Sequence, residues 1–172
     1  MLRGLGVILV MLGCTLAGWY KVWQMRANVS ELCLIQRQLI MFIGEISSGC
    51  VVLSEVMERL KRNSKGHWSK FYEEICSQMD GRKEKSFEGI WNNATDKFLK
   101  HRGLSKEELE IWQEFGTHIG YLDKEMQITL AKLCKERMEQ WYALRKEQLA
   151  KTAKMYQSFG ITGGLFLVIV LW

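Results

Sequence analysis

The sequence predicts an all-α protein: a helical bundle domain between an N-terminal and a C-terminal transmembrane helix. Three observations carry that prediction. Proline is absent from all 172 residues, while Glu, Lys, Leu, Met and Gln are plentiful, which favours long helices over turns and strands. Apolar residues recur at three- and four-residue steps, and no stretch alternates with period two for long. Both ends of the chain are apolar and free of charged side chains, over 4–20 and again over 160–172.

The first apolar segment supplies roughly 17 residues, just enough to cross a bilayer core. A cleaved signal peptide would need a basic leader and a small-x-small site. Here the leader has only Arg3, and Thr15, Leu16 and Ala17 make a poor site. Met11 to Cys14 echoes a lipoprotein box, with Met11 and Leu12 awkward at its first two positions. The segment therefore reads as an uncleaved anchor over 1–20, with Trp19 and Tyr20, like Trp172 at the far end, suited to the bilayer interface.

Residues 21–154 read as a cytoplasmic helical bundle. Asn28 to Glu31 has capping-box spacing and predicts a helix start, followed by Leu32, Ile35, Leu39, Phe42, Ile43 and Ile46 on one face. Ser47, Ser48 and Gly49 interrupt it. A second helix carries Val52, Leu53, Val56, Met57 and Leu60 and runs into the polar stretch 61–66. A third spans Trp68 to Met79, with Phe71, Tyr72, Ile75 and Cys76, and ends at Asp80 and Gly81. A fourth covers Ser86 to Lys100, with Phe87, Ile90, Trp91 and Phe98. Ser105 and Glu108 form the clearest helix start, and Leu109, Trp112, Phe115 and Ile119 continue from it to Gly120. Asp123 can cap the last helix, whose Met126, Leu130, Leu133, Cys134, Met138 and Trp141 recur among charged residues. No glycine interrupts that helix before Gly160, so it predicts a rod about 75 Å long whose final part, 155–172, enters lipid. Gly160 and Gly164 make a small-xxx-small pair suited to close helix packing.

Charge sets orientation and excludes some functions. The net charge is +5, yet glutamates are interleaved throughout, so the basic stripe of a nucleic-acid binder is lacking. Acidic lipid headgroups account for the excess as well. Lys21 and Arg26 follow the first apolar segment, and Arg145, Lys146, Lys151 and Lys154 precede the second, with only Arg3 beyond. The positive-inside rule then places the middle region in the cytoplasm and both termini outside.

Little in the sequence points to chemistry. Five cysteines occur without a C-x-x-C pair and read as reduced, small buried hydrophobes. His67, His101 and His118 do not stand at ligand spacing with Cys76 or Cys134, so no metal is expected. Phosphate-binding loops, nucleophile elbows and zinc-protease signatures are missing, and the expectation is a non-enzyme without a cofactor. Asn28 and Asn93 begin glycosylation triplets, irrelevant to a cytosolic domain.

One stretch is more specific. Phe115, Gly116, Ile119, Gly120, Asp123 and Gln127 place two glycines four apart, an aspartate three later and a glutamine four after that. With the tail from Lys154 through Tyr156, Phe159, Gly160, Gly163 and Gly164, this pattern resembles stage III sporulation protein AB of endospore-forming bacteria. Glu45 and Ile46, Leu53 to Glu55, Trp91, the length and the abrupt apolar end also agree. Val51 and Val52 depart from it, standing where that family usually has Thr-Pro. Read physically, Gly116 and Gly120 allow a tight crossing or turn, Asp123 accepts from the N–H groups of the last helix, and Gln127 adds a polar contact.

The resemblance implies a helical domain similar to that of inner-membrane platform proteins of type II secretion and type IV pilus machines. It further implies a non-enzymatic scaffold in the mother-cell membrane around the forespore. Its partners would be a secretion-type ATPase, other sporulation channel subunits and the lipid bilayer, with a homo-oligomer compatible. Lys61, Arg62, Arg82 and Lys83, in solvated segments, are the candidate contacts. A membrane-shaping, holin-like protein and a lipoprotein with an extracytoplasmic binding module are the competing readings.

Overall fold

The computed structural model describes residues 2–49, 52–81 and 86–171, with side chains over 18–49, 52–81 and 86–156. Six helices follow in order: α1 (Leu2–Ser47), α2 (Leu53–Asn63), α3 (His67–Asp80), α4 (Phe87–Phe98), α5 (Lys106–Ile119) and α6 (Lys124–Leu171). Among the described residues there is no strand, and the fold is an all-α bundle.

Its frame is the pair α1 and α6. At 46 and 48 residues these helices are about 70 Å long. They run antiparallel: Gly18 abuts Tyr156, and Gln36 Nε2 donates to the Met138 carbonyl, so 18 residues up α1 match 18 back along α6. Both helices pass through the expected domain boundaries, at 20/21 and 154/155, without a break.

The helix start expected at Asn28 is not there, because α1 runs straight through it. A capping box is needed only where backbone N–H groups lack a preceding turn. Inside α1 that turn exists, and Asn28 and Glu31 instead join the buried stripe with Leu32, Ile35, Leu39, Phe42 and Ile46.

The remaining starts follow local chemistry. Ser86 Oγ accepts from Gly89 N at α4, and Ser105 and Glu108 make both bonds of a capping box at α5. At α6, Asp123 Oδ1 accepts from Met126 N at 2.9 Å. Gly66, at φ +64°, precedes α3 in a conformation that side chains disfavour.

Helices α2 to α5 pack in sequence and close a core around large rings. Trp68, Phe71, Tyr72, Trp91, Trp112 and Phe115 are each at most 2% exposed. Trp91 and Trp112 stand 4.9 Å apart, while Trp68 meets Trp112, Phe71 meets Trp91 and α1's Phe42 meets Phe115 edge to face. Such offset pairs add about 0.5–1.5 kcal/mol each to the area they bury. Cys76 and Cys134 lie in this interior, as small hydrophobes should. Cys33 differs: it is exposed, on an outward stripe of α1 with Ser30, Arg37 and Ile40.

Among the described residues no helix is long and apolar enough to cross a membrane. The expected spans fall largely outside the described side chains. Gly160 and Gly164 lie within the helical backbone of α6, their surroundings outside the described residues, as are Trp172, Arg82 and Lys83.

Candidate functional site

Three places hold the residues singled out above. The first is the α4–α5–α6 junction. Trp91 of α4 lies against Gly116 so closely that a β-carbon there would sit 1.9 Å from Cδ1 and 2.2 Å from Nε1 of the indole. The ring is fixed by a 3.0 Å bond from its Nε1 to the Trp112 carbonyl, one turn before Gly116. At Gly120 the neighbour is Phe87, whose Cβ would stand 3.1 Å from an added β-carbon. Gly120 has an ordinary φ of −71°, so proximity and not backbone freedom accounts for it. Beyond it, Asp123 caps α6, and Gln127 Nε2 donates 2.8 Å back to the Ile119 carbonyl, tying the first turn of α6 to the last of α5. These four residues thus form one mechanical joint where α4, α5 and α6 meet.

The second place is where α5 begins. Glu108 is fully buried, and its carboxylate accepts from Ser105 N (2.8 Å), Asn28 Nδ2 (2.6 Å) and Arg145 Nε (2.8 Å). Asn28 Nδ2 also donates 2.9 Å to the carbonyl of Gly103. Gly103 holds φ at +85°, which favours glycine, and it packs at ordinary contact distance from the backbone of α1. Arg145 in turn lies over the Trp141 ring at 5.0 Å. One buried carboxylate therefore binds α1, α5 and α6 together.

Sequence reading assigned Glu108 only a cap and gave Arg145 only a place in a basic cluster. The available signal was a polar residue, Asn28, on the buried face that Leu32 and Ile35 continue.

The third place is the α2–α3 surface. Lys61 Nζ bonds Glu58 Oε1 at 2.7 Å, which holds that carboxyl below the usual range and raises the ammonium. Glu73, Cys76 and Asp80 line the same shallow hollow, and burial, with help from Glu58, pushes the Cys76 thiol up to about 12. Arg62, the neighbouring candidate, is exposed. The surface around Lys61 is thus mixed in charge. Groups of His, Cys, Asp and Glu able to hold a metal do not occur among the described residues.

Comparison with known proteins gives a consistent result. A family model described as Stage III sporulation protein AB matches residues 3–172. A curated relative, Stage III sporulation protein AB of Bacillus subtilis (strain 168), is 23% identical over 171 residues, covering 99% of each chain. A solved structure, Stage III sporulation protein AB (SpoIIIAB), superposes with a TM-score of 0.62 at 19% identity, covering 72% of this chain and 97% of its own. That last likeness is one of fold.

Proposed function

The chain belongs to the stage III sporulation protein AB family, and from that premise we propose that it is a non-enzymatic, membrane-anchored scaffold subunit of a secretion-like sporulation channel. Its place is the mother-cell membrane around the forespore. The two apolar ends, 1–20 and 155–172, anchor it, and residues 21–154 form a cytoplasmic bundle that couples to a secretion-type ATPase and other channel subunits.

The observation that carries this reading is the antiparallel α1–α6 pair. Its register, continued toward the termini, brings both apolar ends out at the same end of the bundle, side by side. Two spans from one end hold a domain in a fixed orientation that one span would leave free to swivel. At that end α1 exposes Trp19, Tyr20 and Trp23, by 73%, 64% and 65%, beside Lys21 and Arg26. Large exposed rings next to cations are the composition of a bilayer interface and an expense in water. A bundle held that way suits passing force or position between a motor and membrane partners.

The test uses the full chain in lipid bilayers with the purified ATPase. Co-sedimentation is expected, weakened by Arg62→Glu combined with Arg82→Glu and Lys83→Glu; Lys61 is left alone because of its bond to Glu58. No association with the parent chain removes the scaffold reading. Topology is checked at Cys33, the exposed thiol among the described residues. An impermeant reagent should miss it in intact cells and label it once the membrane is opened.

A further inference from the structure

We infer that the cleft between the lower parts of α1 and α6 and the turn before α5 is a binding site for the phosphodiester headgroup of an anionic phospholipid. This rests on the proposed anchoring of the two apolar ends. The cleft holds about 340 Å³ and is lined by Lys21, Gln24 and Asn28 of α1, Arg145 and Gln148 of α6, and Ser105 at the turn.

Its floor is rigid. Asn28 is buried and held by its two amide bonds to Gly103 and Glu108, and its Oδ1 has no partner among the described residues. That leaves one buried acceptor at the floor of the cleft without a bond inside the described structure.

Its rim carries unused cationic donors. Glu108 is the buried carboxylate beside the cleft, and both its oxygens are already bonded. Arg145 uses Nε on Glu108 and Nη1 on Gln148 Oε1, while its Nη2 makes no bond among the described residues. Lys21 is exposed and has no ion pair among them. Glu107 and Glu108 both act on Arg145, so the cation left without a counter-charge is Lys21; with the free Nη2 of Arg145 it supplies the unused donors that a phosphate needs.

Position selects a lipid as the source of that phosphate. At about 1.5 Å per residue, Lys21 to Asn28 occupy the first 10 Å or so after the exposed Trp19 and Tyr20. Headgroups extend roughly 5–7 Å beyond the hydrocarbon edge where such rings settle. The cleft opens at that depth.

The experiment titrates the full chain, in zwitterionic detergent, with dihexanoylphosphatidylglycerol, dihexanoylphosphatidylcholine and inorganic phosphate, read by calorimetry. Phosphatidylglycerol should bind at least about fivefold more tightly than phosphatidylcholine. Lys21→Glu with Gln24→Glu, both at exposed rim positions, should weaken phosphatidylglycerol roughly tenfold without moving Tm. Equal affinity for the two lipids, or indifference to the double reversal, overturns the assignment. Inorganic phosphate binding as tightly as phosphatidylglycerol also overturns it, in favour of a soluble ligand. Flotation with phosphatidylcholine vesicles is the separate readout: a chain that floats but shows no headgroup preference refutes only this site, whereas one that does not float refutes the anchoring itself.

Discussion

The two halves of the α1–α6 pair are built on opposite principles. From Leu32 to Ile46, α1 buries a stripe that is apolar but for Gln38, which accepts from Ser64, beneath the rings of α3 to α5, and α6 answers with Ala131, Cys134 and Met138. From Gly18 to Asn28 the same helix buries little beyond Val22 and Asn28, and it exposes three large rings. The upper half is held mainly by shape. The lower half is held by the Asn28–Glu108–Arg145 bonds and by the close seat of Tyr156 on Gly18. One continuous helix can thus serve folding at one end and attachment at the other, because regularity comes from the backbone and specificity from whichever stripe faces a partner.

The sharpest way to break that comparison is at Glu108. Replacing it with alanine leaves the partly exposed Arg145 without its partner and Asn28 with Gly103 as its one remaining acceptor; removing one member of a buried ion pair costs about 3–5 kcal/mol, and about 2–4 kcal/mol is expected here. Urea unfolding of the 21–154 region checks the value. A loss below about 1 kcal/mol would mean that shape holds the lower half as well.

Next in size is the α4–α5–α6 junction. Gly116→Ala should cost about 2–3 kcal/mol, because three indole atoms occupy the space and Trp91 is tied by its own hydrogen bond. Gly120→Ala should cost less, about 1 kcal/mol, since Phe87 need yield only a few tenths of an ångström. Equal effects at both positions would contradict the geometry. The Glu108 and Gly116 losses should add, as expected of sites without shared partners.

Much of this architecture is written locally in the chain and some of it is not. Ser105 and Glu108 announce a helix start because every atom of the capping box lies within one turn. Asp123 does the same for α6. Asn28 and Glu31 carry a similar signature and mark no start, since the pattern cannot tell whether a preceding turn already satisfies the backbone. The paired glycines at 116 and 120 promise close approach, but the ring that needs the space belongs to Trp91, on another helix. Arg145 looks like one more cation in a basic cluster, and its partner Glu108 is 37 positions away. Contacts across helices are what the one-dimensional pattern leaves out.

The thiols sharpen the contrast between interior and outward stripe. Burial pushes Cys76 and Cys134 up to about 12 from an ordinary 9. The folded chain then keeps protons that the unfolded chain gives up above pH 9. Stability from these groups is complete below pH 9 and is lost as pH rises toward 12, on the order of 1 kcal/mol for the more deeply buried Cys134 at pH 10 and less for Cys76. Cys76→Ala with Cys134→Ala should flatten that alkaline limb. With Cys14 and Cys50 replaced by serine, a thiol reagent at pH 8 should react at once with Cys33 and with the other two only as the protein opens.

The smallest expected change in stability is the most informative about the lower half. Trp19 and Trp23 are mostly exposed, so replacing both with alanine should alter unfolding free energy by no more than about 0.5 kcal/mol. Residues that matter to the fold could not be removed so cheaply. If they serve the bilayer interface, the cost appears there instead: phospholipids brominated near the headgroup end of their acyl chains should quench part of the tryptophan emission. In a Trp172→Phe background, which removes the other terminal ring, that quenching should vanish with Trp19→Phe and Trp23→Phe. The four remaining tryptophans, Trp68, Trp91, Trp112 and Trp141, lie in or beside the bundle and stay out of reach of the bromines. Quenching that persists in the double variant would place the membrane edge elsewhere on the molecule, and a stability loss near that of Gly116→Ala would assign the two rings to the fold.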